Sequence, residues 1–273
     1  QKWDLPPLLP PEIRDDGLYL MLECTKCGRQ RQHFVQHVTI DLTTLYAELE
    51  GQRAPYDPHI TDRPIICPKC GAVDQYKVDA LTNIRLTIGS SFENIMALMS
   101  GQKPIDISPS PFVHQVRPQA FRQHMHPLVA LDKYKQLARR NPKQAELHWR
   151  MGNILRMIWR DEQAREAYRR SLELDPDEIY AIYSLATTEH DLGNIAEAQA
   201  LYQQTMHRIS PLAMLRDEEL MSLSMSAADG LKALKKGRPS PYAQDNRQTH
   251  TQEKPEKLSR QEKRQQKKMN KRR

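Results

Sequence analysis

Four residues in this chain have the type and spacing to act together on one ion: Cys24, Cys27, Cys67 and Cys70, which are all of its cysteines. They form two C-x-x-C pairs, within Leu22-Glu23-Cys24-Thr25-Lys26-Cys27-Gly28 and Ile65-Ile66-Cys67-Pro68-Lys69-Cys70-Gly71. Two residues between sulfurs let the chain turn back tightly and present both thiolates to the same centre. Glycine after each second cysteine suits the left-handed backbone of such a turn. Two turns supply four thiolates, the closed tetrahedral shell of a structural Zn2+ site. Four thiolates also suit iron, and C-x-x-C pairs serve dithiol redox chemistry or form disulfides, so zinc is expected first and iron second. A redox pair of the thioredoxin type follows a strand and opens a helix, whereas strand-like residues flank both sides of each pair here. A closed shell offers no position to a substrate, so the expected role is structural.

The elements around the pairs must bring them together. Leu18–Leu22, His33–Ile40, Gln75–Asp79 and Ile84–Ile88 read as strands, the second with Phe34, Gln36 and Val38 on one side at period two. They predict a small antiparallel sheet pinned by the ion, which supplies much of the stability of so small a core. The 39 residues between Cys27 and Cys67 exceed the compact spacing of about 15–20. An insertion fills that gap, with a short helix over 41–49 and a loop over 53–64. In C-x-x-C-G and C-P-x-C-G, roughly the first 90 residues resemble the zinc-ribbon or rubredoxin-like knuckle families. The resemblance implies metal binding and no single function. His33 and His37 stand four apart on one face of a strand-like run, as surface histidines or as contacts to metal or phosphate; His124 and His126 are given no role. Residues 1–17 are Pro-rich and extended, with Trp3, Leu5, Leu8 and Leu9 available to pack on the ribbon. Phe92–Met99 reads as a helix, and Pro104, Pro109, Pro111 and Pro118 mark a linker, because proline removes an amide donor and clashes with a preceding helical turn.

The second half is periodic. Ala130, Ala164 and Ala198 recur every 34 residues, as do Tyr134, Tyr168 and Tyr202, and Pro142 and Pro176 share the offset. Helices are expected over 146–159, 161–174, 179–192 and 195–209, with Gly193-Asn194 breaking the second pair. Gly152 and Ala186 are small where paired helices approach. This pattern resembles the tetratricopeptide repeat over residues 128–211. Two repeats are full. A half repeat precedes them over 129–140, its partner helix spoiled by Pro118 and Pro127. A closing helix follows over 217–236, with Leu220, Leu223, Ala227, Leu231 and Leu234 on one stripe. So short an array leaves self-association or docking on the ribbon open. The resemblance implies a concave surface, lined by the first helix of each repeat, that holds a protein or peptide partner. Carried over, the groove positions are Trp149, Asn153, Arg156, Tyr180, Tyr183, Thr187 and His190. Trp149 and the tyrosines could anchor a partner, and the competing reading packs Trp149 and Tyr183 against neighbouring helices. Asn153 matches the carboxylate-clamp variety, but Trp149 and Ser184 stand where its Lys and Asn belong, so the resemblance does not extend to capture of a C-terminal Glu-Glu-Val-Asp peptide.

Charge is unevenly spread. Residues 237–273 carry 12 Lys/Arg against 4 Asp/Glu, so the rest of this +7 chain nets −1. With few apolar residues, that tail is expected to be disordered by itself. Lys263, Arg264, Lys267, Lys268, Lys271, Arg272 and Arg273 could attract RNA or DNA through phosphate contacts; the alternatives are a solubilising tail or a linker. The chain opens on Gln rather than Met, as a fragment or processed chain does. It holds no run of 18 apolar residues and no charged-then-apolar leader, so no membrane association is expected. Cysteines in metal spacing with none left over suit a reducing compartment, and the cytoplasm is the expected location. Nucleophile-elbow, P-loop, dinucleotide and H-E-x-x-H patterns are missing, so no catalysis is expected. The sequence therefore predicts an α+β chain. A zinc ribbon with a helical insertion spans 1–100, a Pro-rich linker 101–127, all-α repeat hairpins with a closing helix 128–236, and the basic tail 237–273. Its expected role is a non-catalytic adaptor, with a nucleic-acid-associated factor using ribbon and tail as the alternative.

Overall fold

A computed structural model of the chain describes residues 17–52, 54, 56–79, 82–83, 86, 112–214 and 216–242. They fall in two compact units, residues 1–133 with 154–160, and residues 134–153 with 161–273.

In the first unit, β1 (Leu18–Cys24), β2 (Gln30–Val35) and β5 (Tyr76–Val78) form an antiparallel sheet in the order β2-β1-β5. Alternation along β1 buries Leu20, Leu22 and Cys24 on one face, where they meet Val35, Tyr76 and Val78. A second sheet has the order β4-β3-β6, from β3 (Val38–Asp41), β4 (His59–Thr61) and β6 (Val113–Val116). β7 (Gln119–Ala120) and β8 (Gln123–His124) make a short hairpin. The strand expected over 33–40 is two strands of two sheets, parted at Gln36 and His37. The gap between cysteine pairs holds α1 (Leu42–Leu49), capped by the Asp41 carboxylate on the Thr43 amide.

Three features depart from expectation. Beside the expected antiparallel sheet stands a second one, in which β3 pairs with β6 in parallel. β6 also lies in the stretch expected as linker: Val-His-Gln-Val is long enough to pair once β3 presents an edge, and Pro111 and Pro118 lie outside it, as strands tolerate proline. Leu86 is helical where a strand was expected, after Asp79 accepts a hydrogen bond from the Thr82 amide; the rest of 84–88 lies outside the described residues. So do residues 1–16 and the helix expected over 92–99.

The half-repeat helix expected over 129–140 opens two residues earlier, on Pro127, and strands lie within 113–124 where its partner helix would stand. In α2 (Pro127–Arg140) the missing N–H falls where helices leave amides unpaired. His126 caps that end: its Nδ1 accepts from the Leu128 amide at 3.2 Å, which leaves Nε2–H to donate to the Asp57 carbonyl at 3.0 Å. Accepting at Nδ1 requires the neutral ring, whereas the bond to Asp57 survives protonation. Burial above all holds the pKa of His126 below the ordinary histidine value of 6.5. The unfolded chain therefore takes the proton first, and stability should fall as pH drops below about 6.5 while staying level above it. Denaturant midpoints across that range should decline less in His126→Asn, which keeps the cap and loses the titration. The remaining decline belongs to His33 and His148, whose pKa values burial also lowers.

The second unit carries the repeat. α3 (Ala145–Met157), whose end from Ile154 belongs to the first unit, is followed by α4 (Asp161–Leu174), α5 (Ile179–Asp191), α6 (Ile195–Arg208), a turn of helix α7 (Pro211–Met214) and α8 (Glu218–Lys235). The periodic Ala and Tyr residues from 130 to 202 are all buried. A Cβ on Gly152 would collide with the Tyr168 ring, and one on Gly230 with Tyr202, so both helices need glycine at the crossing. Ala186, Ala198, Tyr202 and Ala227 form the core that closes the array, with Leu231 and Leu234 packed on it.

Candidate metal centre and partner groove

Both knuckles are built alike. After Cys24, the Gly28 amide donates to the Cys24 carbonyl at 2.8 Å, and the Cys24 amide to Arg29 at 2.9 Å. After Cys67, Gly71 donates to Cys67 at 2.9 Å, and Cys67 to Ala72 at 2.8 Å. Gly28 and Gly71 have φ of +70° and +69°, the left-handed turn their sequence position implies. Cys24 closes β1, and an Ile66–Val73 bridge flanks the second knuckle, so strand pairing aims the turns at each other.

The four sulfurs converge. Cys24 Sγ lies 3.6 Å from Cys70 Sγ, Cys27 Sγ lies 3.6 Å from Cys67 Sγ, and all four are within 4.8 Å of one another. Metal–sulfur bonds of about 2.3 Å in a tetrahedron imply edges of about 3.8 Å, so the cluster has the size to hold a metal ion. All four cysteines are free. The hydrogen bond from the Cys70 amide leads in pulling Cys67 down to about 6. Cys70 is pushed up to about 11: the Ala72 amide pulls the other way but loses to burial and the sulfurs around it. Four adjacent sulfurs cannot all ionise unaided; a shared dication removes that conflict. Exposed Lys26 and Lys69, one in each turn, offset the negative charge that four thiolates would leave.

Asp74, four residues beyond Cys70, has φ of +55° and exchanges hydrogen bonds with the Ile65 backbone. Arg160 clasps its carboxylate with two bonds, 3.0 and 3.1 Å. His37 stacks on Trp159 with centroids 3.8 Å apart, and its Nδ1 lies 3.3 Å from Nε2 of His114. His33 belongs to β2, so the two histidines share no strand face.

The expected groove residues divide. Trp149 and Tyr180, on the first helices of successive repeats, lie side by side with centroids 5.6 Å apart. Trp149 Nε1 donates to Ser184 Oγ at 3.1 Å, and Arg150 covers its ring. Asn153 accepts from the Tyr168 hydroxyl at 2.8 Å, and Tyr183 packs on the closing core. Thr187 and His190 are buried, and His190 Nε2 donates to the Arg238 carbonyl at 2.8 Å. Ser240 bonds Asp191, so residues 238–240, expected in the tail, pack on the end of α5. Arg156 is buried too, within residues 154–160 of the first unit. The seven basic residues between Lys263 and Arg273 lie outside the described residues. Sequence reasoning missed Glu218 and Glu219, which adjoin Tyr180 in space; only the carboxylates opening the closing helix could have signalled them.

The second unit is thus an array of helical hairpins, and the first a cysteine-knuckle unit. Residues 145–178 match the family described as tetratricopeptide repeat. Over 95 residues the chain is 30% identical to human Protein O-mannosyl-transferase TMTC1, an alignment that covers 34% of this chain and 11% of that protein. Among solved structures it resembles the TPR2B domain of yeast Sti1, from a complex with pHsp70, at 17% identity and a TM-score of 0.33, covering 38% of this chain and 83% of that one. Among the described residues no helix is long and apolar enough to cross a membrane.

Proposed function

We propose that the chain is a non-catalytic cytoplasmic adaptor. Cys24, Cys27, Cys67 and Cys70 hold a structural Zn2+ that fixes the knuckle unit, and the first-helix face of the repeats binds a protein or peptide through Trp149 and Tyr180. The observation that carries this reading is the Trp149–Tyr180 pair, two half-buried rings, Trp149 inside the matched residues 145–178 and Tyr180 on the helix that follows them. Aromatic side chains bring large contact area to an interface at little cost in side-chain entropy. Zinc is preferred over iron because two C-x-x-C knuckles closing a four-thiolate shell are the common form of a structural zinc site.

Elemental analysis of purified protein should find one zinc per chain. Affinity capture from lysate should return specific partners that Trp149→Ala and Tyr180→Ala lose. An unchanged partner set in both variants would remove the groove from the adaptor reading, and iron in place of zinc would correct the metal.

A further inference from the structure

The face just described is not electrically neutral. A cavity of about 380 Å³ opens between α5 and α8, lined by Tyr180, Glu218, Glu219, Ser222, Leu223 and Ser226. No lining residue is cationic. The Tyr180 hydroxyl donates to Glu219 Oε2 at 3.2 Å. Glu178 caps α5 on the Tyr180 amide, and Asp217 caps α8 on the amides of Glu219 and Leu220. Four carboxylates thus gather at two helix N-termini. Capping alone accounts for Glu178 and Asp217, but not for Glu218, which has no ion-pair partner among the described residues. Two helix ends supply about +0.5 each, roughly one positive charge against four negative, so the cavity keeps a net negative field. Tyr180 responds to that field: its pKa is raised by burial first, then by Glu219, Asp217 and Glu178.

We propose that this cavity receives a lysine or arginine side chain carried on an extended segment of a partner protein. The cationic head meets Glu218 and Glu219, and the aliphatic stem lies along Leu223 and the Tyr180 ring, the divided character such side chains need. Trp149 already accepts a cation in this manner from Arg150, which Glu146 holds at 2.6 Å. The chemistry is the reverse of an acid-binding clamp. The inference rests on reading the first-helix face as a peptide surface.

A phage-displayed library of short peptides selected on the immobilised full chain tests it. Enriched peptides should be rich in Lys and Arg. Made synthetically, they should bind wild type, weaken with salt, and lose about tenfold or more in affinity to Glu218→Gln/Glu219→Gln, a pair of isosteric changes on a solvent-facing helix end. Enriched peptides that lack basic residues yet lose binding in Tyr180→Ala would overturn the inference and leave the groove reading standing. Peptides indifferent to Tyr180→Ala, or no enrichment over bare support, would overturn both. Carbodiimide coupling of Glu218 or Glu219 to a lysine among residues 243–273 of the same chain would also overturn it, the occupant then being the chain itself.

Discussion

Cys67→Ser should cost the knuckle unit its fold, not only a ligand. The strands of the sheet beside the cysteines are three to seven residues long, and their shared core is one cluster running from Leu20 to Leu86. Joining Cys24 to Cys70 and Cys27 to Cys67 through one ion ties two turns that lie 40 and 46 positions apart. Structural zinc contributes about 10–16 kcal/mol in small metal-dependent folds, against a whole-domain stability of about 5–15 kcal/mol, so with the proposed ion at this site its loss would exceed what the apolar cluster can offset. Serine keeps the volume and removes the thiolate. The variant should bind metal substoichiometrically, and its amide resonances for residues 17–79 should collapse to the unfolded range. Wild type treated with a strong chelator should do the same and recover on zinc addition. A Cys67→Ser protein with native dispersion and an unchanged melting temperature would remove the metal as the source of that stability.

The two halves of the fold were legible to different degrees, for a physical reason. Local patterns reach the eye first: the knuckle glycines and the 34-residue recurrence of Ala and Tyr are short-range or periodic, and α4 occupies the predicted span 161–174. Pairing between distant segments leaves no such mark. Nothing in Val113–Val116 says that it lies parallel to β3, and prolines on both sides made the stretch look like a spacer. The same blindness hid the return of residues 154–160 to the knuckle unit. One signal was present, however. Adding 34 to Trp159 gives Gly193, and both hold the same turn position, with φ of +62° and +82°. Left-handed backbone costs a bulky residue about 1–2 kcal/mol that glycine avoids. A tryptophan in a glycine's place implies a compensating contact, and the structure supplies it in the rings of His37 and His114. One end of the groove was hidden for a like reason: the repeat register placed His190 on the inner face, but the chain's own residues after Gly237 pack at that end of α5.

Arg160→Met should destabilise the knuckle unit by about 3–5 kcal/mol, because it leaves the Asp74 carboxylate buried without its cation. The two side chains are 3% and 11% exposed, so solvent screens the pair little and offers the orphaned carboxylate little hydration. Geometry favours guanidinium specifically, since both Asp74 oxygens are engaged from one planar fork. Asp74 also accepts from the Ile65 amide, two residues before Cys67, so a displaced carboxylate disturbs the approach to the second knuckle. Chelator competition should therefore show weaker metal retention as well as a lower denaturant midpoint. The double variant Arg160→Met/Asp74→Asn decides between charge and packing. Asparagine can still accept from Ile65 and carries no charge to strand, so the double should be more stable than Arg160→Met alone. If the two losses simply add, the ion pair is not what secures Asp74, and the stacked Trp159 beside it becomes the element that holds residues 154–160 in the knuckle unit.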